Sequence, residues 1–213
     1  MNTSHDFISS YYFSKQKRIF DLTLSTVGFI LLIPFLIIIS VSILLTSGWP
    51  IFFTQLRTGK NNKPFKMIKF RTMYKGAHQD QKKLIKKNES PFPTFKISDD
   101  PRFIGIGKFL SKTGMDEIPQ LINILKGEMS LIGPRPLPVE EASNLPTHWQ
   151  IRHTVRPGIL SLWALSKSRH SSKELWEELE TETLKFSSVK KDVRILLRAL
   201  EIPLLYFLTK LKK

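Results

Sequence analysis

Three adjacent carboxylate pairs and two proline-flanked arginines are the residues of this 213-residue chain whose types and spacing could do chemistry. The pairs are Asp99-Asp100, Asp116-Glu117 and Glu140-Glu141; a further adjacent pair, Glu177-Glu178, falls within the helix expected over 172–185. Asp99-Asp100 precedes Pro101 and reads as a turn. Asp116-Glu117 lies where a helix should begin, and a helix start favours negative groups, phosphate included. Two readings of Asp116 stand side by side: a functional carboxylate, or a plain N-cap sharing a capping box with Thr113. Arg135 in Gly133-Pro134-Arg135-Pro136 and Arg156 in Val155-Arg156-Pro157-Gly158 sit on stiff loops. A guanidinium held there can grip phosphate by two parallel hydrogen bonds, although a surface arginine in a turn is the simpler reading of each.

Other chemistries are excluded or unsupported. The chain has no cysteine, which removes disulfides, thiolate zinc sites and a cysteine nucleophile. Its five histidines lack metal-ligand spacing, and no nucleophile elbow, Walker loop or dinucleotide fingerprint occurs.

The elements that must position these groups follow from pattern. Ile118, Leu121, Ile122 and Leu125 repeat at helical spacing, and Pro119 is compatible only with a first turn. The helix therefore starts near Asp116 and ends at Gly127. Ile51–Leu56 and Phe65–Met73, joined by a turn over Gly59–Lys63, predict a β-hairpin. Residues 76–98 read as a polar loop with a short helix at 79–87, and a helix is expected over 172–185. Val193, Leu196, Leu197 and Leu200 repeat the helical spacing until Pro203 interrupts. That terminal stretch suits either a membrane surface or the core.

No charged residue occurs between Asp21 and Arg57, and Val27–Leu45 forms a 19-residue apolar run. This is near the ~20 residues needed to cross a bilayer. Its length, late start and missing cleavage site argue against a signal peptide. A spanning helix and a re-entrant one remain. Pro34 near the centre of the run and basic residues on both flanks (Lys15, Lys17, Arg18; then Arg57 to Lys75 without an acid) suit re-entry. The net charge is 33 − 18 = +15, and residues 57–112 carry 15 basic against 4 acidic side chains. Such a field welcomes nucleic acid, anionic lipid or a phosphorylated substrate. The apolar run immediately upstream favours lipid or a lipid-linked substrate.

Together, Lys17-Arg18-Ile19-Phe20-Asp21, the proline-centred apolar run, FKMIKFRTM at 65–73, Asp99-Asp100-Pro101-Arg102, MDEIPQLINILKGEMSLIGPRP at 115–136 and VRPG at 155–158 resemble the bacterial sugar transferases known as small monotopic phosphoglycosyl transferases. The resemblance covers about residues 15–200. It implies an α+β protein: a membrane re-entrant helix-break-helix bent at Pro34, a small cytoplasmic α/β domain, and interfacial amphipathic helices. The expected divisions are a tail at 1–14, a membrane hairpin at 15–56 and a catalytic domain at 57–213. The implied reaction moves a sugar-1-phosphate from a UDP-sugar to undecaprenyl phosphate with release of UMP. By resemblance Asp116 is the nucleophile that becomes a covalent aspartyl-phosphosugar, Glu117 completes the dyad, and both carboxylates sit at the Mg²⁺ that serves as cofactor. Arg135, Arg156, Arg169, Lys69 and Arg71 are the implied substrate-binding side chains. The implied partners are donor, polyprenol phosphate and anionic membrane lipid at the bacterial inner membrane, with a homodimer left open and no nucleic acid. Two departures stand out: Ser111 where the family has arginine, and Gly114 where it has serine. They motivate an alternative, a non-catalytic anchored homologue that acts as an assembly partner.

Overall fold

The computed structural model describes residues 7–89, 95, 97, 99–166, 168 and 171–211, with side chains described as far as Pro203. The apolar run forms α1, Lys15–Ser47, a 33-residue helix capped by the Ser14 hydroxyl, which accepts from the Lys17 amide. By length and composition α1 could cross a membrane. The helix-break-helix expectation takes a different form here, because α1 continues through Pro34 as one element. A proline removes a single donor, and a long helix absorbs that loss as a local bend.

One stripe of α1 is covered by the rest of the protein along its length. Lys17, Asp21, Ser25, Ile39 and Ile43 are buried, and Phe29, Leu32 and Leu36 pack partly between them. This spacing of three and four keeps one helix face on the domain. At one end Lys17 Nζ bridges Asp21 (2.9 Å) and Asp192 (2.8 Å). Asp21 in turn accepts from the Ser130 hydroxyl at 2.8 Å and the Leu131 amide at 3.2 Å. At the other end Ile39 and Ile43 join Phe70 and Leu110 in an apolar cluster. The opposite faces expose Ile30, Leu31, Phe35, Ile37, Ile38 and Leu45.

The expected hairpin is present as β1, Phe52–Thr58, and β2, Pro64–Phe70, antiparallel with Phe52 opposite Phe70 and Thr58 opposite Pro64. Its connection places Asn61 and Asn62 at positive φ, which asparagine tolerates better than most residues. β1 runs across the division expected after residue 56, with Phe52 and Phe53 paired to β2. Gln79–Lys87 is helical, as 3₁₀ turns.

After α2, Gly107–Thr113, the dyad segment Met115–Gln120 is a 3₁₀ turn leading into α3, Leu121–Leu125. β3, Ser130–Ile132, pairs in parallel with β4, Gly158–Leu160. The helices α4 (Val139–Ser143), α5 (Leu162–Leu165) and α6 (Lys173–Lys185) surround a tryptophan cluster of Trp149, Trp163 and Trp176. The Ser172 hydroxyl caps α6.

α7, Val189–Leu211, does not stop at Pro203 but runs through it. Its Asp192 and Ile195 are buried in the domain, while Val193, Leu197 and Leu200 form an exposed apolar row at i, i+4, i+7. The helix therefore serves the core on one side and presents an amphipathic face on another. Within the stretch expected as a tail, Ile8 and Tyr12 are buried with Val155 and Leu184.

Candidate active site

The dyad is built by the meeting of β2 with the Met115–Gln120 turn. Gly114 enters that turn at φ 74°, a left-handed conformation that L side chains adopt only with strain. The departure from serine at 114 therefore has a backbone reason. The N-cap reading of Asp116 does not hold. Gly114 occupies the cap position without a side-chain bond, and the Thr113 hydroxyl donates to the Phe109 and Leu110 carbonyls. Asp116 is instead a buried carboxylate, 8 % exposed.

Lys69 reaches both members of the dyad from the end of β2. Its Nζ lies 2.5 Å from Glu117 Oε1 and 3.9 Å from Asp116 Oδ2. The two carboxylates consequently differ in charge state. Burial pushes the Asp116 carboxyl up to about 7, against the opposing pull of Lys69 and with a further push from Glu117. Burial acts on Glu117 as well, but Lys69 and Arg135 outweigh it and hold Glu117 below the ordinary glutamate range. One member is firmly ionised and paired; the other is poised near neutrality.

A pocket beside the dyad is lined by Arg57, Met67, Lys69, Glu117, Gln120, Arg135, Pro136, Gly158 and Ile159. Arg135 is held with unusual completeness. Its amide donates to Glu180 Oε1 at 2.9 Å, its carbonyl accepts from Arg152 Nη2 at 2.6 Å, and its guanidinium lies 5.1 Å from the Trp163 ring centroid. Arg152 and Glu180 are themselves a buried pair at 2.9 Å. The loop can approach β4 so closely because both partners are glycine: a Cβ on Gly158 would fall 2.1 Å from the Gly133 nitrogen.

The residues expected to bind substrate do not all converge. Lys69 and Arg135 meet at the pocket. Arg71 does not: its Nη2 donates to the Ser47 and Gly48 carbonyls at 2.8 and 2.5 Å, closing the end of α1. Arg156 does not either, since its Nε donates to the Gly127 carbonyl at 2.8 Å. Arg169 lies outside the described residues. Ser111 and Lys112 are exposed, and Lys108 pairs with Asp99, so none of the three replaces the missing arginine at the dyad. Arg57 supplies a cation instead, donating to the Pro136 carbonyl and to Gln55 Oε1.

Sequence reasoning missed Arg57, Gln120, Arg152 and Glu180. Gln120 was reachable, being three positions from Glu117 and so on the same side of the turn. Arg57 was legible only as the first member of the basic flank after the apolar run. Nothing in the sequence couples Arg152 to Glu180, 28 positions away.

A model of a family described as bacterial sugar transferase matches residues 12–205. Galactosyl transferase CpsE of Streptococcus agalactiae is 37 % identical over 191 residues, covering 89 % of this chain and 42 % of CpsE. The exopolysaccharide production protein ExoY of Sinorhizobium fredii is 34 % identical over 155 residues, 71 % of this chain and 69 % of ExoY. The UDP-glucose:undecaprenyl-phosphate glucose-1-phosphate transferase of Escherichia coli is 35 % identical over 167 residues, 77 % of this chain and 33 % of that protein. The chain thus spans well under half the length of CpsE and of the E. coli protein.

Proposed function

The chain belongs to the bacterial sugar transferase family, and from that premise we propose that it transfers a sugar-1-phosphate from a UDP-sugar to a polyprenol phosphate. The names of the relatives support this class of donor and acceptor. The observation that carries the reading is the asymmetry of the dyad. Lys69 is engaged by Glu117, which leaves Asp116 as the carboxylate free to react beside a cationic pocket.

In this reading an ionised Asp116 oxygen attacks the β-phosphorus of the UDP-sugar. The bond from that phosphorus to the bridging oxygen breaks, and UMP departs with the electron pair. An oxygen of the polyprenol phosphate then attacks the same phosphorus, and the Asp116 carboxylate is regenerated. Covalent catalysis divides one hard displacement into two easier ones. Arg135, Arg57 and Lys69 hold the phosphates and offset the charge gathering on them. Donor negative charge entering beside Asp116 raises the need for cations there, and the donor set fits Mg²⁺. That ion commonly takes one or two carboxylates together with substrate phosphates, here Asp116 and Glu117, and it supplies charge neutralisation when bound.

The covered stripe of α1 supports a re-entrant placement. A 33-residue helix extends roughly 50 Å, and both its ends dock on the same domain through Lys17–Asp192 and Arg71–Ser47. A helix standing across the bilayer would drag that charged domain into hydrocarbon. We place the domain on the cytoplasmic side of the bacterial inner membrane, where the basic flanks of α1 belong.

The test is UMP release from a panel of UDP-sugars by detergent-solubilised protein with Mg²⁺ and undecaprenyl phosphate. Release that disappears in Asp116→Asn, with a phosphosugar adduct on Asp116 in the parent by mass spectrometry, is the expected result. Release from Asp116→Asn at the parent rate overturns the nucleophile assignment.

A further inference from the structure

The ion pair that divides the dyad joins two elements distant in sequence, and something must hold them in step. Lys69 Nζ reaches Glu117 Oε1 from the end of a flexible four-carbon stem, which by itself fixes little. A second attachment lies further along the same segment. α3 continues directly from the dyad turn, and its Asn123, 0 % exposed, meets the backbone of β2. The Ile68 amide donates to Asn123 Oδ1 at 3.1 Å, and Asn123 Nδ2 donates to the Lys66 carbonyl at 2.8 Å. Ile68 immediately precedes Lys69.

Repair of a sheet edge accounts for part of this. β2 has β1 on one edge and, among the described residues, no strand on the other. Backbone groups on that edge still need partners. A carboxamide carries an acceptor and donors like those of a peptide group, so Asn123 stands in for the missing strand. Edge repair does not account for how firmly Asn123 is held. Its Nδ2 also donates to Glu128 Oε2 at 2.6 Å. With a carbonyl and a carboxylate at one end and an N–H at the other, only one orientation of the amide satisfies all three. The Asn123 carbonyl in turn accepts from the Glu128 and Met129 amides at 3.0 and 3.3 Å, which ties its backbone to the chain entering β3.

The place of the clamp gives it a consequence for the chemistry. Residues 115–125 carry Asp116 and Glu117 near their start and Asn123 near their end. β2 carries the clamped groups at 66 and 68 and the cation at 69. Two attachments between the same two elements fix their relative position, which one flexible ion pair cannot do. Lys69 Nζ lies 2.5 Å from Glu117 and 3.9 Å from Asp116. A slip of β2 by about 1 Å is comparable with the difference between those distances, and displacements of that size are enough to disturb a catalytic site.

We propose that Asn123 is a positioning residue for the transfer reaction: it locks β2 against the dyad turn, so that Lys69 is held on Glu117 and Asp116 stays free to react. Asn123 acts through Lys69, and Glu128 orients Asn123. The effect on turnover rests on the proposed sugar-phosphate transfer; the placement of Lys69 does not.

Two readouts on the full chain in detergent test this. The first is acetylation of Lys69 by an N-hydroxysuccinimide ester, followed by mass spectrometry with the exposed Lys86 as internal standard. Asn123→Ala should free Lys69 and raise its labelling at least about threefold. The second is kcat for UMP release in a double-mutant cycle with Lys69→Gln. Beside Lys69, Asn123→Ala should lower kcat roughly 10- to 100-fold, the cost of misplacing a catalytic group by about 1 Å. In the Lys69→Gln background the same change should cost no more than about twofold, the scatter of such cycles. Glu128→Ala, at a half-buried position, guards against misfolding: it should move both readouts the same way by a smaller factor, and Glu128→Gln, which keeps an acceptor oxygen, should restore them. Unchanged Lys69 labelling in Asn123→Ala and Glu128→Ala overturns the proposal. So does an equal fractional loss of kcat with and without Lys69, which marks a residue that serves only the fold. If Asn123→Ala does not fold, Glu128→Ala decides by the same two criteria. A parent chain that releases no UMP overturns the transfer reading instead, and labelling alone then decides whether Asn123 places Lys69.

Discussion

Arg135 and Arg156 are nearly the same residue when read in the sequence, each an arginine against a proline in a glycine-containing loop. The fold treats them oppositely. Arg135 has its amide, carbonyl and guanidinium all engaged, by Glu180, Arg152 and Trp163, and it lines the pocket with Glu117. Arg156 turns to the end of α3 and meets Arg18. The loops carrying them touch through Gly133 and Gly158, so the divergence occurs across a backbone contact. A stiff loop makes an arginine available; which group it serves depends on the packing beneath it.

That contrast can be broken most severely through turnover. Arg135→Ala should lower kcat/KM for UDP-sugar by roughly 10²–10³, the usual effect of removing a positioned donor to developing charge. Arg156→Ala should cost at least tenfold less than Arg135→Ala in the same detergent assay. Equal losses would place Arg156 in the pocket.

The scaffold beneath Arg135 comes next. Glu180 and Arg152 are each 3 % exposed, and Glu180→Leu should destabilise the protein by about 3–5 kcal/mol because it strands a buried guanidinium. Denaturant unfolding reads this, and a loss under about 1 kcal/mol would show the pair to be incidental. Glu180→Gln, which keeps an oxygen for the Arg135 amide, should fall between the two.

A pH profile separates the two carboxylates. Asp116, raised to about 7 by burial, is protonated below that pH and ionised above it. A nucleophilic carboxylate therefore predicts UMP release that rises as pH passes upward through about 7 and then levels off. A flat profile from pH 5.5 to 8.5 would remove Asp116 from that role. The protonated form favours the folded state here, so any contribution of Asp116 to stability is present at low pH and is lost as pH rises toward 7.

The smallest effect concerns His153, which sits beside Arg152 and precedes the Arg156 loop. Burial and the Arg152 charge push its imidazole down to about 4. A depressed value means that the unfolded chain binds a proton first. Stability is thus fully present above about 6.5 and declines as pH falls toward 4. His153→Gln should flatten that part of a melting-temperature curve, and an unchanged slope would assign it to other groups.

Much of this was legible in the sequence because it depends on local pattern. The hairpin, the α3 face, the Gly127 stop and the helix that became α6 all follow from periodicity and turn chemistry within a dozen residues. The dyad was legible as a pair, and by resemblance as a catalytic one. Its two identities were not. Whether Asp116 capped a helix or stood free depended on Gly114 taking the cap position and Thr113 bonding backward, which neighbouring residues alone leave undecided. The helix running through Pro34 and Pro203 likewise depended on tertiary support, since packing along one face outweighs the loss of a single backbone bond.

The sequence by itself determined a basic protein with a membrane-length apolar helix, an α+β domain and an acidic pair beside phosphate-seeking cations. Composition and short-range spacing contain that information directly. Only the tertiary structure decided which cations serve the pair. It brought Lys69 from β2 and Arg57 from β1, fastened Arg135 with a buried pair drawn from two distant segments, and sent Arg71 and Arg156 to helix ends. Side chains on long flexible stems have no preferred partner in the chain. They acquire one when burial removes water and leaves each charge to find the nearest group that satisfies it.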